Sequence, residues 1–404
     1  MSSRSLSMHS KIPDQIVEHV PALDGIRGIA ILTVLAAHFG GGRKFESPIM
    51  RLIGQLMASG WLGVDLFFVL SGFLITGILL KTSSDPNYYR SFYGRRVLRI
   101  FPIYYLTLFV TFFISLAVSQ PWRWDQYSFF IFANNIAVVF DDNLGAVGPG
   151  LMLSAFWSLA VEEQFYLFWP YLLRVATRKR TLLWLFSGAI LGALLLRVLA
   201  VNLGSPNAAY NLLVSRMDSL AAGGLLAQLL RQGSLKNVPA RVPFGLLALA
   251  ILGFLAIGFL EKTLAWNTGL MMTVGFDVTA LGAFALIWSV LIPKSPTQIL
   301  CQARPLRFFG KYSYGMYIYH QIFQNSMMQY IYPAAARLLH SQVLGAIGYF
   351  FTAILLVTVV SVLSYELYEI RFLRLKGFFP YQRGPKAEWS TQELQAATRQ
   401  TDAS

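Results

Sequence analysis

Long apolar segments follow one another along almost the whole chain of 404 residues, separated by short polar stretches. A helix needs about 20 predominantly apolar residues to cross the hydrocarbon core of a membrane. One segment, 126–140, is only fifteen residues long and contains Asn134 and Asn135. The eleven segments are 24–42, 60–80, 100–119, 126–140, 155–174, 181–201, 211–231, 242–260, 267–292, 312–332 and 343–368. The pattern predicts an all-α, polytopic membrane helical bundle.

The positions of lysine and arginine indicate which side of the membrane each connection faces, because short cytoplasmic loops carry an excess of both. The basic connections are 81–99, 174–180, 231–241, 294–311 and the tail from Arg371. They all fall on one side only if segment 126–140 does not cross. We therefore predict about ten transmembrane helices, a short re-entrant or interfacial segment at 126–140, and cytoplasmic termini. The divisions are an N-terminal segment at 1–20, a membrane core at 21–376 and a polar tail at 377–404.

The composition agrees with a membrane protein. The chain is 55% hydrophobic and 13% charged, whereas a soluble domain carries about 25% charged residues. The net charge of +14 gathers in the short loops, so we expect a lipid bilayer and no nucleic acid as a partner. Cys301 is the one cysteine, which excludes an intramolecular disulfide. The first twenty residues lack the apolar core of a cleavable signal peptide, and the sequence holds no metal-binding motif.

The first apolar segment contains an arginine and a histidine. Arg27 and His38 are eleven positions apart, which on a helix is three turns plus about 20°, so they share one face about 16 Å apart. Charged groups in hydrocarbon are costly and point to function. We expect Arg27 near the cytoplasmic mouth and His38 deeper, as a general base. The alternatives are that Arg27 snorkels to lipid phosphates and that His38 caps a loop.

Adjacent carboxylates lie in the segment "WSLAVEEQFYLFWP", at Glu162 and Glu163. Two neighbouring carboxylates in a low dielectric do not both ionise without a cation or a histidine partner. His38 is predicted at a comparable depth, and a carboxylate can orient an imidazole that accepts a hydroxyl proton. The alternative is a glutamate–arginine pair that locks two helices together.

Three arginines precede the third apolar segment, namely Arg95, Arg96 and Arg99. They lie within about one helical turn of each other. Guanidinium groups bind phosphate oxygens through two parallel hydrogen bonds. The cluster therefore predicts a phosphate site at the cytoplasmic side, with anchoring to lipid headgroups as the alternative.

Other polar side chains are predicted within the membrane. Those expected to contact a substrate or to line a cavity are Asp65, Arg216, Asp218 and His320. A stripe on one helix is predicted to comprise Ser313, Tyr317, His320 and Gln324. Asp277 is expected to be buried or to face a cavity, without an identifiable partner. Arg197 is expected to snorkel from a helix end. For His320, a bridge between helices is an equal alternative.

The sequence resembles the acyltransferase-3 family of integral membrane acyltransferases over roughly residues 21–370. The resemblance rests on six motifs that occur in the family's order: "LDGIRGIAILTVLAAH", "GVDLFFVLSGFLI", "RRVLRIFPIYY", "WSLAVEEQFYLFWP", "SRMDSLAAGG" and "SYGMYIYH". The family's arginine-x10-histidine pattern falls on Arg27 and His38, and its RxxR pattern falls on Arg96 and Arg99.

The resemblance implies transfer of an acyl group, usually acetyl, from cytoplasmic acyl-CoA to a hydroxyl of a carbohydrate, a glycolipid or a secondary metabolite. The coenzyme A phosphates would bind Arg95, Arg96 and Arg99, and the pantetheine arm would pass Arg27. His38, supported by Glu162 or Glu163, would deprotonate the hydroxyl without a metal. The expected location is the inner or plasma membrane. A transporter or flippase without covalent chemistry is the alternative, because a polar cavity also suits proton-coupled transport.

Overall fold

The computed structural model describes residues 20–41, 48–148, 150–176 and 178–381. The predicted N-terminal segment at 1–20 lies outside the described residues except for Val20, and so does the predicted tail beyond Tyr381. The described chain is almost entirely helical, and its one sheet is a two-stranded antiparallel pair, β1 (Ala146–Gly148) and β2 (Leu151–Met152). The all-α prediction is confirmed for this part of the chain.

The longer helices follow the predicted segments closely. They are α1 (Pro21–Gly40), α2 (Pro48–Ala58), α3 (Leu62–Lys81), α4 (Tyr88–Ala117), α6 (Phe156–Val175), α7 (Lys179–Asn202), α9 (Leu213–Arg231), α10 (Arg241–Glu261), α11 (Phe276–Leu291), α13 (Arg304–Ile322), α14 (Gln324–Leu338) and α15 (Gln342–Ser364). The shorter ones are α5 (Asn134–Ala137), α8 (Pro206–Asn211), α12 (Pro296–Cys301) and α16 (Ile370–Arg374). Single turns of π-helix at Met271–Gly275 and Tyr365–Glu369 extend α11 and α15, and 3₁₀ turns lie at Ser59–Trp61, Trp124–Ile131 and Leu375–Phe378.

Seven helical stretches in the described residues are long and apolar enough to cross a membrane. They are Pro21–Gly40, Ile49–Lys81, Tyr88–Ala117, Lys179–Asn202, Arg241–Glu261, Met271–Leu291 and Gln342–Phe378. Helices α6, α9 and α13 have 20, 19 and 19 residues, so each is about 30 Å long. These three helices carry Glu162, Glu163, Arg216, Asp218 and His320 among the predicted polar site residues, and such residues lower their hydropathy.

Segment 126–140 forms no membrane-length helix. Its residues belong to the 3₁₀ helix Trp124–Ile131 and to the four-residue helix α5. Helix α6 follows this segment and runs parallel to α3, since Phe68 packs on Trp157 in the first half of both helices and Thr76 accepts a hydrogen bond from Trp169 in their second half. Parallel neighbours require an odd number of crossings between them, and α4 supplies one.

Helices α1 and α13 also run parallel and pack closely. Near their beginnings, a methyl group on Gly310 would overlap the carbonyl oxygen of Asp24, so the backbones approach each other directly. Towards their ends, the rings of His38 and His320 are 4.7 Å apart. Arg27 of α1, the arginines of α4 and Lys376, which follows α16, lie close together near the beginning of α1. We refer to this side of the bundle as the basic end.

The prediction of a single helix at 312–332 is wrong. Helix α13 begins eight residues earlier, at Arg304, and ends at Ile322, and α14 begins after Phe323. The first turns of α13 carry Arg304, Arg307 and Lys311. A search for apolar runs does not detect such turns, although the backbone there is helical and packs against α1.

Candidate active site

A cavity of about 230 Å³ lies between α1, α3, α4, α6 and α13. The charged side chains of its lining are Arg27, Arg96, Arg99, Glu162 and Glu163. They come from three helices, α1, α4 and α6, which lie far apart in the sequence, and the packing of the bundle brings them together. The rest of the lining is largely apolar, so these charges act in a low dielectric. Of the four arginines predicted to bind the acyl donor, Arg27, Arg96 and Arg99 line the cavity and Arg95 does not.

The arginines of the cavity differ in how they are paired. Arg27 donates a hydrogen bond of 2.7 Å to Asp24, one turn earlier in α1. Arg96 stacks its guanidinium over the ring of Tyr166, and its buried Nε has no hydrogen-bond partner among the described residues. Arg99 also forms no ion pair within the described part of the chain. Arg96 and Arg99 therefore retain donors that a phosphate could use.

The prediction that Arg95 belongs to the same cluster does not match the geometry. Its guanidinium donates to the backbone oxygens of Lys376 and Phe379 at 3.4 and 3.0 Å and lies over the ring of Tyr381. Arg95 therefore holds the segment after α16 against the first turns of α4. Lys376 itself is half-buried close to the cavity arginines. The sequence analysis did not single it out, although the basic run after Arg371 indicated it.

The two glutamates have different environments. The hydroxyl of Tyr166 donates to Glu162 at 3.0 Å and lies 2.6 Å from the hydroxyl of Ser71. Glu163 has a buried Oε1 without a hydrogen-bond partner among the described residues. Ser71 and Tyr166 also line the cavity. The glutamates thus face the cavity arginines rather than forming a closed pair of their own.

His38 lies beside other residues than those predicted. Its backbone oxygen accepts a hydrogen bond of 2.8 Å from Gln324, and its Nδ1 lies 3.5 Å from Nε2 of Gln321. Within the described residues neither glutamate hydrogen-bonds His38. The expectation that Glu162 or Glu163 orients this imidazole is therefore corrected, because α13 and the start of α14 supply its neighbours.

Tyr317 connects the cavity to the histidines. Its ring lines the cavity, and its hydroxyl is 2.5 Å from that of Ser158. Its ring centroid lies 5.3 Å from that of His320. The predicted stripe on α13 is thus divided: Ser313 and Tyr317 face the cavity, while His320 and Gln324 contact His38. Tyr317 and Ser158 form the wall between the two.

The remaining polar residues predicted at membrane depth form a buried ionic network. Arg216 pairs with Asp65 and stacks on the ring of Phe276 at 4.0 Å. Asp65, Arg216 and Asp218 are all nearly inaccessible, and none of them lines the cavity. Their expected contact with a substrate finds no support in this geometry, because their side chains are engaged within the protein.

Arg197 completes the network and does not snorkel as expected. It is fully buried and pairs with Asp218 at 2.8 Å and with Asp277 at 2.6 Å. Asp277 thereby gains the partner that the sequence did not identify. The network links α3, α7, α9 and α11, at the side of the bundle where α3 and α9 begin.

The family model described as an acyltransferase domain matches residues 20–366. The "Putative peptidoglycan O-acetyltransferase YrhL" of Bacillus subtilis (strain 168) is 28% identical over 385 residues, which cover 90% of this chain and 56% of that protein. The "Peptidoglycan O-acetyltransferase OatA" of Listeria monocytogenes serovar 1/2a is 29% identical over 321 residues, which cover 75% of this chain and 49% of that protein.

The chain thus spans about half the length of these curated relatives. No solved structure matches it. The family match covers the helices that build the cavity and the histidine pair, from α1 to the end of α15. The chain therefore belongs to the acyltransferase-3 family.

Proposed function

We propose that the protein is an integral membrane O-acyltransferase that moves an acyl group, acetyl in the first instance, from cytoplasmic acyl-CoA to a hydroxyl of a cell-envelope carbohydrate or glycolipid. One observation carries the proposal: the cavity extends from unpaired arginines at the basic end to the wall formed by Tyr317, behind which the histidines lie. Positive charge for a phosphorylated donor therefore lies in the cavity, and an imidazole base for a hydroxyl lies directly behind its Tyr317 wall.

The orientation in the membrane is part of the proposal. The seven apolar stretches and the buried helices α6, α9 and α13 together give ten crossings, with both termini on the same side. The parallel pairs α1/α13 and α3/α6 agree with this count, since each pair is separated by an odd number of crossings. The positive-inside rule puts the basic end, and with it the mouth of the cavity, in the cytoplasm of a cell whose plasma membrane holds the protein.

The donor would bind through its phosphates. Arg96 and Arg99 offer guanidinium donors that form no ion pair with any described residue, and Arg27 and Lys376 add positive charge nearby. Charge-assisted hydrogen bonds from arginine to phosphate are about twice as strong as neutral ones. The pantetheine arm, which carries amide N–H groups, would then enter the cavity, where Glu163 has an unsatisfied acceptor. This gives the two glutamates a role in guiding the arm.

The chemical step would use His38 as the general base. His38 takes the proton of the acceptor hydroxyl, whose oxygen forms a bond to the acyl carbon while the bond from that carbon to sulfur breaks. The proton then passes to the coenzyme A thiolate. General base catalysis of this kind contributes about 10²–10⁴-fold. The two relatives named above are described as acting on peptidoglycan, so polysaccharide of the cell wall is the first acceptor to test.

The donor site is tested by binding of coenzyme A to protein purified in nanodiscs. We expect Arg96→Gln to weaken binding at least about tenfold, because a lost charged hydrogen bond costs about 1.5–3 kcal/mol. Arg95→Gln is the matched control: it removes the same charge from the adjacent position of the same helix, but outside the cavity. Equal effects of the two substitutions would contradict the proposed site.

Turnover is tested with radiolabelled acetyl-CoA and cell-wall material as the acceptor. Wild-type protein is expected to release coenzyme A and label the acceptor, and His38→Ala is expected to lose both while still binding coenzyme A. Full activity of His38→Ala would contradict its role as the base. Absence of coenzyme A binding and turnover in the wild type would contradict the proposed function as a whole.

A further inference from the structure

His320 is fully buried, and one of its two ring nitrogens has no hydrogen-bond partner in the described part of the chain. Its Nδ1 lies 2.7 Å from the backbone oxygen of Tyr317. A carbonyl oxygen only accepts hydrogen bonds, so Nδ1 must carry the hydrogen. In the neutral ring Nε2 then bears a lone pair, and this atom is buried without a hydrogen-bond partner among the described residues. Leaving such an acceptor unsatisfied costs about 1–3 kcal/mol, which calls for a functional reason.

The neighbouring histidine is held in the opposite tautomer. The backbone N–H of Ala155 donates to Oε1 of Gln321, which fixes the orientation of that side-chain amide. Its Nε2 therefore points towards Nδ1 of His38, 3.5 Å away. Because an amide nitrogen only donates, Nδ1 of His38 carries a lone pair, and the hydrogen of the neutral ring sits on Nε2.

The two rings are consequently complementary. Their centroids are 4.7 Å apart with an angle of 61° between the planes. Nε2 of His38 can donate a hydrogen bond, and the buried Nε2 of His320 can accept one but has no donor among the described residues. His38 is the more accessible of the two, whereas His320 has no exposed surface.

We propose that His38 and His320 act as a proton relay, in which Nε2 of His320 receives the proton that leaves His38 when His38 deprotonates the acceptor. This inference rests on the proposed function. It identifies His320 as a positioning residue that acts through His38, rather than as the contact to the acceptor that its sequence suggested.

The proposed reaction conserves protons and bonds. The acceptor hydroxyl displaces the long contact from Gln321 and gives its proton to Nδ1 of His38. The proton on Nε2 of His38 moves to Nε2 of His320, so His38 stays neutral and His320 becomes cationic. The hydroxyl oxygen bonds to the acyl carbon, and the carbon–sulfur bond breaks. The return of both protons transfers one to the thiolate and restores the starting tautomers.

The relay is tested with two substitutions of the same residue. His320→Asn retains an N–H at the position of Nδ1, which can still donate to the oxygen of Tyr317, but it lacks Nε2. His320→Ala lacks both. If His320 only bridged helices, His320→Asn would keep kcat near the wild-type value. We expect both variants to lose kcat by about 10²-fold, with KM for acetyl-CoA and the Kd of coenzyme A changed by less than about twofold.

A matched control lies on the same helix. Tyr319→Phe removes a hydrogen bond of 3.0 Å to Ser364 on a face of α13 away from the histidines, and it is expected to keep wild-type kcat. A His320→Asn variant with kcat within threefold of wild type would overturn the relay and leave the proposed acyl transfer intact. Failure of wild-type protein to turn over acetyl-CoA would overturn both.

A second measurement uses wild-type protein alone and does not depend on whether a variant folds. The rate of acyl transfer is measured in mixtures of H₂O and D₂O. Two protons moving in one step give a curved dependence of the rate on deuterium content, as the relay requires. A linear dependence with a clear isotope effect indicates a single proton in motion and would overturn the relay, as would a rate independent of deuterium content.

Discussion

Replacing Arg197 by methionine should destabilise the protein more than any surface substitution. Arg197 is fully buried on α7 and neutralises Asp218 of α9 and Asp277 of α11. Its guanidinium also stacks over Phe276 at 5.6 Å. Methionine keeps the unbranched apolar stem of the side chain and removes the charged guanidinium, so the stem can still pack while two carboxylates lose their counter-ion.

The magnitude follows from the burial of the partners. Breaking a buried ion pair by removing one partner costs about 3–5 kcal/mol, because it leaves an uncompensated buried charge. The side chain of Asp218 has no exposed surface, and that of Asp277 is 23% exposed. Asp218 therefore accounts for most of the cost, and we expect a loss of about 3–5 kcal/mol in the free energy of unfolding.

The assay is unfolding in SDS from mixed micelles, followed by tryptophan fluorescence. Arg180→Met, at the exposed beginning of the same helix, is the control and should change the free energy of unfolding by less than about 0.5 kcal/mol. Adding Asp218→Asn and Asp277→Asn to Arg197→Met should recover at least half of the loss, because no buried charge then remains unpaired. A loss below about 1 kcal/mol for Arg197→Met, or no recovery in the triple variant, would refute the reasoning.

Two further predictions concern packing and the loop before α5. Gly25→Ala should lower the free energy of unfolding by about 1–3 kcal/mol in the same SDS assay, because the added methyl group would overlap the backbone oxygen of Cys301. Gly188→Ala is the control and should be neutral or stabilising, because a methyl group there would meet no described atom within 4 Å. Equal losses of free energy in the two variants would contradict the packing argument. Arg123 donates to Asp125 at 3.0 Å and lowers the pKa of that carboxyl, so the stabilisation is present above the unfolded pKa of about 4 and is lost as the pH falls through the folded pKa. Hydrogen exchange, corrected for the intrinsic pH dependence of amide exchange, should show that the protection of residues 124–144 falls from pH 5 to pH 3 in the wild type. An equal fall in Arg123→Gln would contradict this.

The sequence predicts the helices well because apolar length is a local property. It fails at 312–332, where the charged first turns of α13 are helical, since hydropathy cannot distinguish a polar helix from a loop. It also identifies Arg27, Arg96, Arg99, Glu162 and Glu163, all of which line the cavity. The cost of placing charge in a membrane singles out these residues without any knowledge of the fold.

The partners of these residues could not be predicted in the same way. Arg197 and Asp277 are 80 residues apart, and only the packing of α7 against α9 and α11 brings them together. Likewise, residues at similar predicted depth, such as His38 and Glu162, need not be in contact. Depth specifies only the position along the membrane normal and leaves the position within the membrane plane open. The contact between His38 and His320 depends on the parallel packing of α1 and α13, which no pattern along either segment specifies.

The distribution of buried charge separates structure from chemistry in this protein. On the side where α3 and α9 begin, every arginine of the buried network has a carboxylate partner, and these pairs join four helices. Towards the basic end, Arg96 and Arg99 have none within the described residues. Within the same residues, Glu163 in the cavity and His320 near the end of α13 each keep a buried atom without a hydrogen-bond partner. A buried charge without a counter-ion reduces stability, so the unpaired arginines of the cavity are best explained by an anionic group that a substrate supplies. This is why Arg197→Met should chiefly change stability, whereas Arg96→Gln and His320→Asn should chiefly change binding and turnover.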